Sequence, residues 1–245
     1  MTTFSSDRAV PMLQVLHEDN HCLVVNKPAG LLTQGDSTGE PTLLDAARAY
    51  LKEKYAKPGN VFVGLVHRLD QTTSGVVILA RTSKAASRLS EQFRKGTIEK
   101  VYWAVVEGQI ADDAGEWTDA LLKDERRNVV EVVRAETPGS HAASLAYRVV
   151  ERGLRNCWLE VRPVTGRSHQ IRVQLASRGH PIAGDRKYGA LSVVKALDGR
   201  KRIALHAHRV TFSHPTGRKA VSVTAEAPAD WPWPSTAKTS EATPG

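Results

Sequence analysis

The stretch GLVHRLDQTTSGVVILA occupies residues 64–80 and indicates how the chain folds around one carboxylate. Residues 61–66 and 76–81 are short and rich in β-branched side chains, so both segments predict buried strands. The loop that joins them carries the polar groups, among them Arg68 and Asp70. Two strands hold such a loop in place, and we therefore expect Asp70 to occupy a fixed position.

Two neighbours of Asp70 fit a functional site. Arg68 offers an opposite charge that favours the ionised carboxylate. Gly75 has no Cβ, so the backbone and a ligand can approach each other closely there. Taken alone, the segment also fits a surface turn in which Asp70 only shapes the turn or caps a helix. The rest of the chain decides between these interpretations.

Composition bounds the class of protein. The 245 residues are 41% hydrophobic and 24% charged, which is enough for one sizeable core or two small lobes. The net charge of +8 favours polyanionic partners such as nucleic acids. Cys22 and Cys157 lie far apart and form no CxxC motif, so we expect neither a disulfide framework nor a cysteine metal site. We expect both cysteines to be small core residues of a protein in a reducing compartment.

The two ends of the chain are predicted to be tails. Residues 1–12 show no basic region followed by an apolar stretch, and no later run is long enough to span a bilayer, so we expect a cytoplasmic protein without membrane segments. Residues 228–245 begin with prolines and two tryptophans and end in small polar residues. We expect Trp231 and Trp233 to act as packing anchors and the last ten or so residues to be disordered.

Between the tails, strand patterns outnumber helix patterns. Helices are predicted over 42–55, over 83–95 with Ser83 as N-cap, and over 165–178 with Thr165 as N-cap. Further strands are predicted over 13–18, 22–26, 101–107, 129–134, 143–150, 157–161, 203–212 and 221–226. Many strands, few helices and short turns predict an α+β protein with a mainly antiparallel mixed sheet.

Six sequence blocks, in the same order, resemble those of the RluA-type RNA pseudouridine synthases. The signature of that family is HRLD followed two residues later by TSG, and this chain has HRLD at 67–70 and TSG at 73–75. The other blocks are NKPAGLL at 26–32, KVYWAVVEG at 100–108, TGRSHQIR at 165–172, GHPIAGDRKYG at 179–189 and LHAHRVTFSHPTG at 205–217. So many ordered matches make chance an unlikely source of the resemblance.

The resemblance implies one catalytic domain over 13–227, with flanking helices, a bisected sheet and a cleft across it. It also implies that uridines in ribosomal or transfer RNA are isomerised to pseudouridine without cofactor or metal. Few residues precede the first block, so we expect no S4-like RNA-binding domain at the amino terminus. We further expect a monomer whose partner is RNA.

The resemblance assigns catalytic roles to three residues. Asp70 is the nucleophile or base, and it acts by attack on the ribose, attack on the uracil or abstraction of a ribose proton. Arg172 pairs with Asp70, and Tyr102 packs against the target base and helps to remove the C5 proton. From the residues alone, Arg172 also fits a solvated helix surface, and Tyr102 an ordinary sheet position.

The resemblance also indicates substrate-binding positions. Arg68 fills the place that the extruded base leaves in the RNA, although a salt bridge to Asp70 is a rival interpretation. The remaining positions are Gly75, Arg167, His169 and Leu205. Candidate phosphate contacts are Lys100, Arg167, Arg186 and Lys187, which also fit a solvated surface.

Other hypotheses are weaker. His206 and His208 share a strand face as metal ligands do, but few carboxylates and no cysteine lie near them in the sequence. Ser74 is not part of a GxSxG motif, which a hydrolase nucleophile would need, so we expect its hydroxyl to have a structural role. Gln174 stands where relatives often have histidine, which predicts an altered contact between that helix and RNA.

Two alternative functions remain. One is a catalytically idle RNA-binding or ribosome-assembly factor on the same fold, which is expected to have lost Asp70 or Arg172. The other is a glycoside or nucleoside hydrolase, whose chemistry usually needs two carboxylates that flank the bond.

Overall fold

The computed structural model describes residues 12–36, 39–194, 199, 202–217 and 219–233. Most of the predicted amino-terminal tail and the last ten or so residues, for which we predicted disorder, lie outside these ranges. Three helices occur in the described part: α1 (Leu43–Lys54), α2 (Ser83–Lys95) and α3 (Gln170–Ala176). The strands are β1 (Gln14–Glu18), β2 (Cys22–Lys27), β3 (Gly64–Leu65), β4 (Ser74–Ala80), β5 (Glu99–Glu107), β6 (Ala114–Asp124), β7 (Val129–Val133), β8 (His141–Arg152), β9 (Asn156–Pro163), β10 (Leu205–Ser213) and β11 (Ala220–Thr224).

All of these strands join one sheet, in the order β1-β2-β4-β10-β5-β9-β8-β6-β7. In addition, β11 pairs with β10 and β3 pairs with β4. The pairing of β4 with β10 is parallel and the other named pairings are antiparallel. The prediction of an α+β protein with a mainly antiparallel mixed sheet is therefore confirmed.

Gly75 makes the parallel pairing possible. Its backbone has φ +117°, and a Cβ at this position would lie 2.3 Å from the carbonyl oxygen of Ala207 in β10. No side chain fits at that distance, so the absence of a Cβ allows the two strands to approach each other. We had explained Gly75 by the approach of a ligand, but the structure places a neighbouring strand there.

The first two helices begin at threonine caps. The Thr42 hydroxyl accepts a hydrogen bond from the Asp45 N–H, and the Asp45 carboxylate accepts one from the Thr42 N–H, each over 3.2 Å. At α2 the predicted cap was wrong by one residue, because Thr82 rather than Ser83 accepts from the N–H of Ala85. Gly96 ends α2 in the left-handed conformation, as its position predicted.

Helix α3 is shorter than predicted and does not begin at Thr165. The hydroxyl of Thr165 accepts from the N–H of Ser144 at 3.0 Å and donates to the side chain of Gln170 at 2.7 Å. Because these contacts bind Thr165 to strand β8 and to the Gln170 side chain, the helix starts five residues later, after His169. Ile171 and Leu175 are buried on its inner face, as predicted.

Two strand predictions also need correction. The segment predicted as a strand over 61–66 pairs only at Gly64–Leu65. Strand β6, which we did not predict, pairs with both β7 and β8. Many of its residues alternate between exposed and partly buried positions, and it begins with Ala114, Gly115 and Glu116, which resemble a loop.

The core of the fold lies on both faces of the sheet. Cys22 and Cys157 are free and fully buried, which confirms that they are core residues. The ring of Trp233 contacts Trp158, and its N–H donates to Glu151 at 2.8 Å. Trp231 packs against the same core cluster, so both tryptophans anchor the chain as predicted. None of the helices in the described ranges is long and apolar enough to cross a membrane.

Candidate active site

Asp70 lies in the loop between β3 and β4, and this loop is fixed by hydrogen bonds on both sides. The backbone N–H of Thr73 donates to the carbonyl of Asp70 at 3.1 Å and closes the turn. The hydroxyl of Thr33 donates to the carbonyl of Leu69 at 2.8 Å. The fully buried Lys27 amino group donates to the carbonyl of Gln71 at 3.2 Å. The backbone beside the carboxylate therefore has contacts before and after Asp70.

Arg172 is the partner of Asp70. Its Nη1 atom donates to Oδ2 of Asp70 at 2.7 Å, and its Nε and Nη2 atoms donate to the two carboxylate oxygens of Asp185 at 2.7 and 2.8 Å. The side chains of Arg172 and Asp185 are only 7% and 2% exposed. Arg172 is thus no solvated surface residue, and its guanidinium is held in a fixed orientation.

The charge of Arg172 is secure. Burial by itself disfavours a charged guanidinium, but the hydrogen bonds to Asp185 and the nearby charges of Asp185 and Asp70 outweigh it. Together they raise the pKa of Arg172 above its ordinary value. Asp70 therefore faces a permanent positive charge.

The two oxygens of the Asp70 carboxylate have different surroundings. Oδ2 lies 2.7 Å from Arg172 and 3.8 Å from Nε2 of His169. Oδ1 has no hydrogen-bond partner among the residues that the structure describes. The side chain is 25% exposed and lines a cleft. One oxygen is thus held by the protein, and the other is available to a bound molecule.

Every predicted catalytic or substrate-binding residue except Gly75 lines this one cleft, whereas the candidate phosphate contacts Arg186 and Lys187 do not. The predicted residues that line it are Arg68, Asp70, Tyr102, Arg167, His169, Arg172 and Leu205. Lys100 also lines it, and its amino group donates to the carbonyl of Thr165 at 3.2 Å. Asp70 is the only carboxylate along the cleft in the described part of the chain.

Tyr102 lies on β5, opposite Ala207 of β10 and Val161 of β9. Burial raises the pKa of its phenol above the ordinary value, and the negative charge of Asp70 adds to the effect. At neutral pH the group is a phenol rather than a phenolate. It therefore offers an aromatic surface and a hydroxyl, and its part in removing the C5 proton stays a prediction.

Arg68 does not form the salt bridge that was its rival interpretation. Its side chain is exposed at the rim of the cleft. It makes no ion pair or side-chain hydrogen bond with any residue in the described ranges. Because Arg172 already holds Asp70, the guanidinium of Arg68 is available to a partner outside the protein.

The other candidate phosphate contacts have partial protein partners. Arg167 donates from Nε to the carbonyl of Ala142 at 3.2 Å, and Lys187 donates to the carbonyl of Asn128 at 3.0 Å. Arg186 is exposed. None of these bonds uses a carboxylate, so the charges remain uncompensated, and contact with phosphates stays a prediction.

Asp185 and Tyr188 are site residues that the sequence analysis missed. Asp185 holds two of the donor atoms of Arg172, and the guanidinium carbon of Arg172 lies 5.1 Å from the centre of the Tyr188 ring. Both residues belong to the block GDRKYG, in which we singled out only Arg186 and Lys187. A buried arginine needs acceptors for all its donors, and the acidic residue in that block was the available signal.

The polar residues behind the sheet serve the fold. The hydroxyl of Ser74 bonds to Nδ1 of the buried His206 at 2.9 Å, which agrees with a structural role for Ser74. Nε2 of His206 and Nδ1 of His208 both bond to the carbonyl of Ala225 at 3.0 Å. Gln174 is fully buried and donates to Asp119 at 2.7 Å, so its side chain bonds within the protein, and an altered contact of this helix with RNA stays a prediction.

Asp19, Cys22 and His214 place possible metal-ligand atoms within 4.8 Å of one another. The Nδ1 atom of His214 accepts from the N–H of Gly217 at 3.0 Å, so the ring hydrogen of a neutral imidazole is on Nε2, which faces Asp19. Burial raises the pKa of the Cys22 thiol to about 12. In the structure these groups form a hydrogen-bonded cluster, in which the ring of His214 and the backbone N–H groups of His21 and Cys22 bond to Asp19.

Comparison with known proteins identifies the class that this fold and cleft define. Residues 21–177 match the family described as RNA pseudouridylate synthase, and the chain belongs to that family. The chain is 34% identical over 213 residues to ribosomal large subunit pseudouridine synthase C of Vibrio vulnificus, with 86% of this chain and 64% of the relative covered. It thus spans less than two thirds of that relative.

A shorter relative matches over nearly its whole length. The dual-specificity RNA pseudouridine synthase RluA of Pasteurella multocida is 37% identical over 216 residues, which cover 88% of this chain and 93% of the relative. Among solved structures, human RNA pseudouridylate synthase domain containing 4 is similar in fold, with a TM-score of 0.73, 24% identity and coverage of 89% and 90%. Human RNA pseudouridylate synthase domain containing 1 gives a TM-score of 0.69, 26% identity and coverage of 91% and 87%.

Proposed function

We propose that this protein isomerises uridine in RNA to pseudouridine, with Asp70 as the catalytic carboxylate. The observation that carries the proposal is the asymmetry of that carboxylate. Arg172 binds Oδ2 at 2.7 Å, while Oδ1 has no partner among the described residues and lies in the cleft. A fixed, charged carboxylate with one available oxygen is what nucleophilic or base catalysis requires. Membership of the family supports the same role.

The reaction needs no co-reactant. The N1–C1′ bond of the uridine breaks, the uracil turns, and a C5–C1′ bond forms. C5 loses its hydrogen as a proton and the freed N1 gains one, so substrate and product are isomers. Asp70 acts by attack on C1′, by attack on the uracil, or by removal of a ribose proton, and each route uses one free oxygen. Tyr102 and Leu205 provide the surface against which the extruded uracil packs.

We infer that the substrate is ribosomal or transfer RNA. One similar protein is named for the large ribosomal subunit, and another is named a dual-specificity enzyme. The net charge of +8 and the basic groups Arg68 and Arg167, which line the cleft without a carboxylate partner among the described residues, support binding to a polyanion. We further propose that the protein acts as a monomer in the cytoplasm, where these RNAs reside.

The alternatives are less well supported. An idle RNA-binding factor has no need for the buried Arg172 and Asp185 pair that holds Asp70. A hydrolase needs a second carboxylate across the cleft. Asp185, the other carboxylate bound to Arg172, has both of its oxygens engaged by that guanidinium.

The test uses RNA with tritium at C5 of uridine, prepared from cells that lack this gene. We expect release of tritium to water by the purified protein in the presence of a chelator. Pseudouridine is expected to appear in the digested RNA in equal amount. Accumulation of free uracil would instead identify a hydrolase, and binding of RNA without release of label would identify an idle factor.

A further inference from the structure

The hydroxyl of Tyr188 connects the last strand of the sheet to the cleft. The backbone N–H of Val130, in β7, donates to this hydroxyl at 3.0 Å. The same hydroxyl lies 2.7 Å from Nδ1 of His169. Because β7 is the end strand of the sheet, the N–H of Val130 is satisfied by the tyrosine instead of by another strand.

This chain of contacts fixes the position of one hydrogen. The hydroxyl oxygen accepts from Val130, and Nδ1 of His169 is the acceptor that the described residues offer to its hydrogen. The reverse arrangement, with Nδ1–H donating, would leave the hydroxyl hydrogen without an acceptor among those residues and would turn a bare Nε2 towards the Asp70 carboxylate. A neutral imidazole that accepts at Nδ1 carries its hydrogen on Nε2. The Nε2–H group of His169 is therefore the one that faces Asp70.

His169 is held in this orientation by its backbone and its surroundings. It has φ +50°, a left-handed conformation that histidine and asparagine tolerate better than most residues. Its side chain is 8% exposed, and Nε2 lies 3.8 Å from Oδ2 of Asp70. Burial lowers the pKa of His169 to about 4, opposed by the charge of Asp70 and reinforced by Arg172 and Lys187. The ring is neutral at neutral pH.

We propose that His169 is a positioning residue that presents a fixed, neutral Nε2–H donor to Oδ2 of Asp70, and that the edge strand β7 sets this donor through Tyr188. At 3.8 Å the contact is longer than a hydrogen bond. A shift of the carboxylate by about 1 Å closes it, as catalytic hydrogen bonds often tighten in the reacting complex. Oδ2 then has two donors, Arg172 and His169, and Oδ1 alone acts on the nucleotide. The catalytic part of this inference rests on the proposed function.

Three variants distinguish the role of His169 as a hydrogen-bond donor to Asp70 from a purely structural role of His169 and Tyr188. His169→Asn keeps a residue that tolerates φ +50° and a polar group beside Tyr188, but its shorter amide does not reach Asp70. His169→Gln places an amide N–H near the former Nε2 position. Tyr188→Phe keeps the ring beside Arg172 and removes only the hydroxyl. Tyr55→Phe is the matched control, because its hydroxyl bonds to Glu18, which is not among the cleft residues.

The first measurement does not depend on activity. Long-range ¹H–¹⁵N spectra of the full chain, assigned with His169→Asn, report which ring nitrogen carries hydrogen. We expect hydrogen on Nε2 and none on Nδ1 at neutral pH, and a mixture of both tautomers in Tyr188→Phe. Hydrogen on Nδ1, or a doubly protonated ring, in the unaltered protein would overturn the inference even if pseudouridine is formed.

The second measurement is the single-turnover rate of tritium release with saturating enzyme. We expect His169→Asn to be slower by about tenfold, because a donor to a charged group is lost. Affinity for RNA should change by less than about twofold, because the two ring nitrogens of His169, which the sequence predicted to bind substrate, face Tyr188 and Asp70 instead. His169→Gln should recover part of the rate, and Tyr55→Phe should match the unaltered protein. An unchanged rate in His169→Asn overturns the proposal. The proposal is also overturned if one limb of the pH–rate profile disappears in His169→Asn, because that result would mean that His169 transfers a proton.

If the unaltered protein releases no tritium from any RNA, the proposed function fails. The tautomer measurement still decides whether the hydrogen-bond chain from Val130 to His169 exists.

Discussion

Nη1 of Arg172 donates to Oδ2 of Asp70 over 2.7 Å, although 102 positions separate the two residues in the sequence. Asp70 follows the short strand β3, and Arg172 lies in the first turn of α3. Asp185 binds the other two donor atoms of the guanidinium, so Arg172 cannot turn away from Asp70 without breaking two further bonds. The geometry of the Asp70 carboxylate thus depends on three separate segments of the chain.

Substitution of Asp70 tests its catalytic role. Asp70→Asn keeps the size of the side chain and an acceptor for Arg172, but it removes the charge. We expect the single-turnover rate to fall by at least about 1,000-fold, because an amide neither attacks nor accepts a proton. Affinity for RNA, measured by filter binding, should change only a few-fold. Appreciable turnover by this variant would remove Asp70 from the mechanism.

Asp185→Asn tests the support behind Arg172. This change leaves the buried guanidinium with one charged partner instead of two, so we expect the free energy of unfolding to fall by about 3 kcal/mol. The turnover rate should fall as well, because Arg172 is then free to shift. Urea unfolding measures the first effect and tritium release the second.

The control for Asp185→Asn is Asp113→Asn. Asp113 also pairs with an arginine, Arg152, but its side chain is 88% exposed. Exposed pairs contribute at most about 1 kcal/mol, so this variant should unfold close to the unaltered protein. Equal losses in the two variants would mean that burial of the Arg172 pair has no special importance.

Gly75→Ala tests the contact between β4 and β10. An added Cβ would lie 2.3 Å from a backbone oxygen, and φ +117° is unfavourable for alanine. We expect a loss of at least about 3 kcal/mol in stability, because the two central strands must separate. Gly59→Ala is the matched control, since a Cβ there meets nothing within 4 Å. A Gly75→Ala protein with an unchanged melting temperature would contradict this account of the junction.

Local pattern predicted the elements that depend on local chemistry. The run of β-branched residues predicted β4, and helical periodicity with the left-handed Gly96 predicted α2. The start of α3 was wrong because the Thr165 hydroxyl bonds to Ser144, a residue from a distant strand. The burial of Gln174 was missed because its partner Asp119 lies in β6, which the sequence did not predict.

The residues of the site divide in the same way, into those that the sequence predicts and those that depend on the complete fold. Asp70, Arg172 and Tyr102 were predicted from blocks that resemble a family, and they line one cleft. No local pattern shows that Asp185 binds Arg172, because that bond depends on how the segment after α3 folds back. The link from Val130 through Tyr188 to His169 depends on β7 being an end strand, which is a property of the whole sheet.

The lowered pKa of Glu18 predicts how the free energy of unfolding depends on pH. Burial alone would raise the pKa of this carboxyl, but hydrogen bonds from Lys54, Tyr55 and Tyr50 lower it from 4.5 to about 2. Since the pKa is lowered on folding, the stabilising effect is complete above about pH 4.5 and is lost as the pH falls towards about 2.

The variant for this test is Glu18→Gln, which removes the titration. Its deficit in the free energy of unfolding should be largest near neutral pH and should shrink steadily between about pH 4.5 and about 2. Urea unfolding at a series of pH values measures the difference between the two proteins. A deficit that is the same at all pH values would show that the charge of Glu18 contributes nothing.

Substitution of Arg68 distinguishes two roles for its guanidinium: filling the place of the extruded base in the RNA helix, and attracting phosphate. Its guanidinium bonds to no described residue, so Arg68→Ala should leave the free energy of unfolding within about 0.5 kcal/mol. If Arg68 fills the space of the extruded base, it offsets an unstacking cost of a few kcal/mol that exists only in paired RNA. We therefore expect Arg68→Ala to slow turnover about tenfold or more on a uridine within a stem, and much less on the same uridine in a single strand.

Arg68→Lys completes this comparison, because lysine keeps the charge but lacks the planar group that stacks on bases. On the stem substrate it should resemble Arg68→Ala, whereas a simple phosphate contact would let lysine restore the rate. The salt dependence of binding gives an independent measure, since loss of one phosphate contact reduces the slope of log K against log salt by about 1. Equal losses of turnover on paired and single-stranded substrates, together with that reduced slope, would identify Arg68 as a phosphate contact and not as the residue that replaces the base.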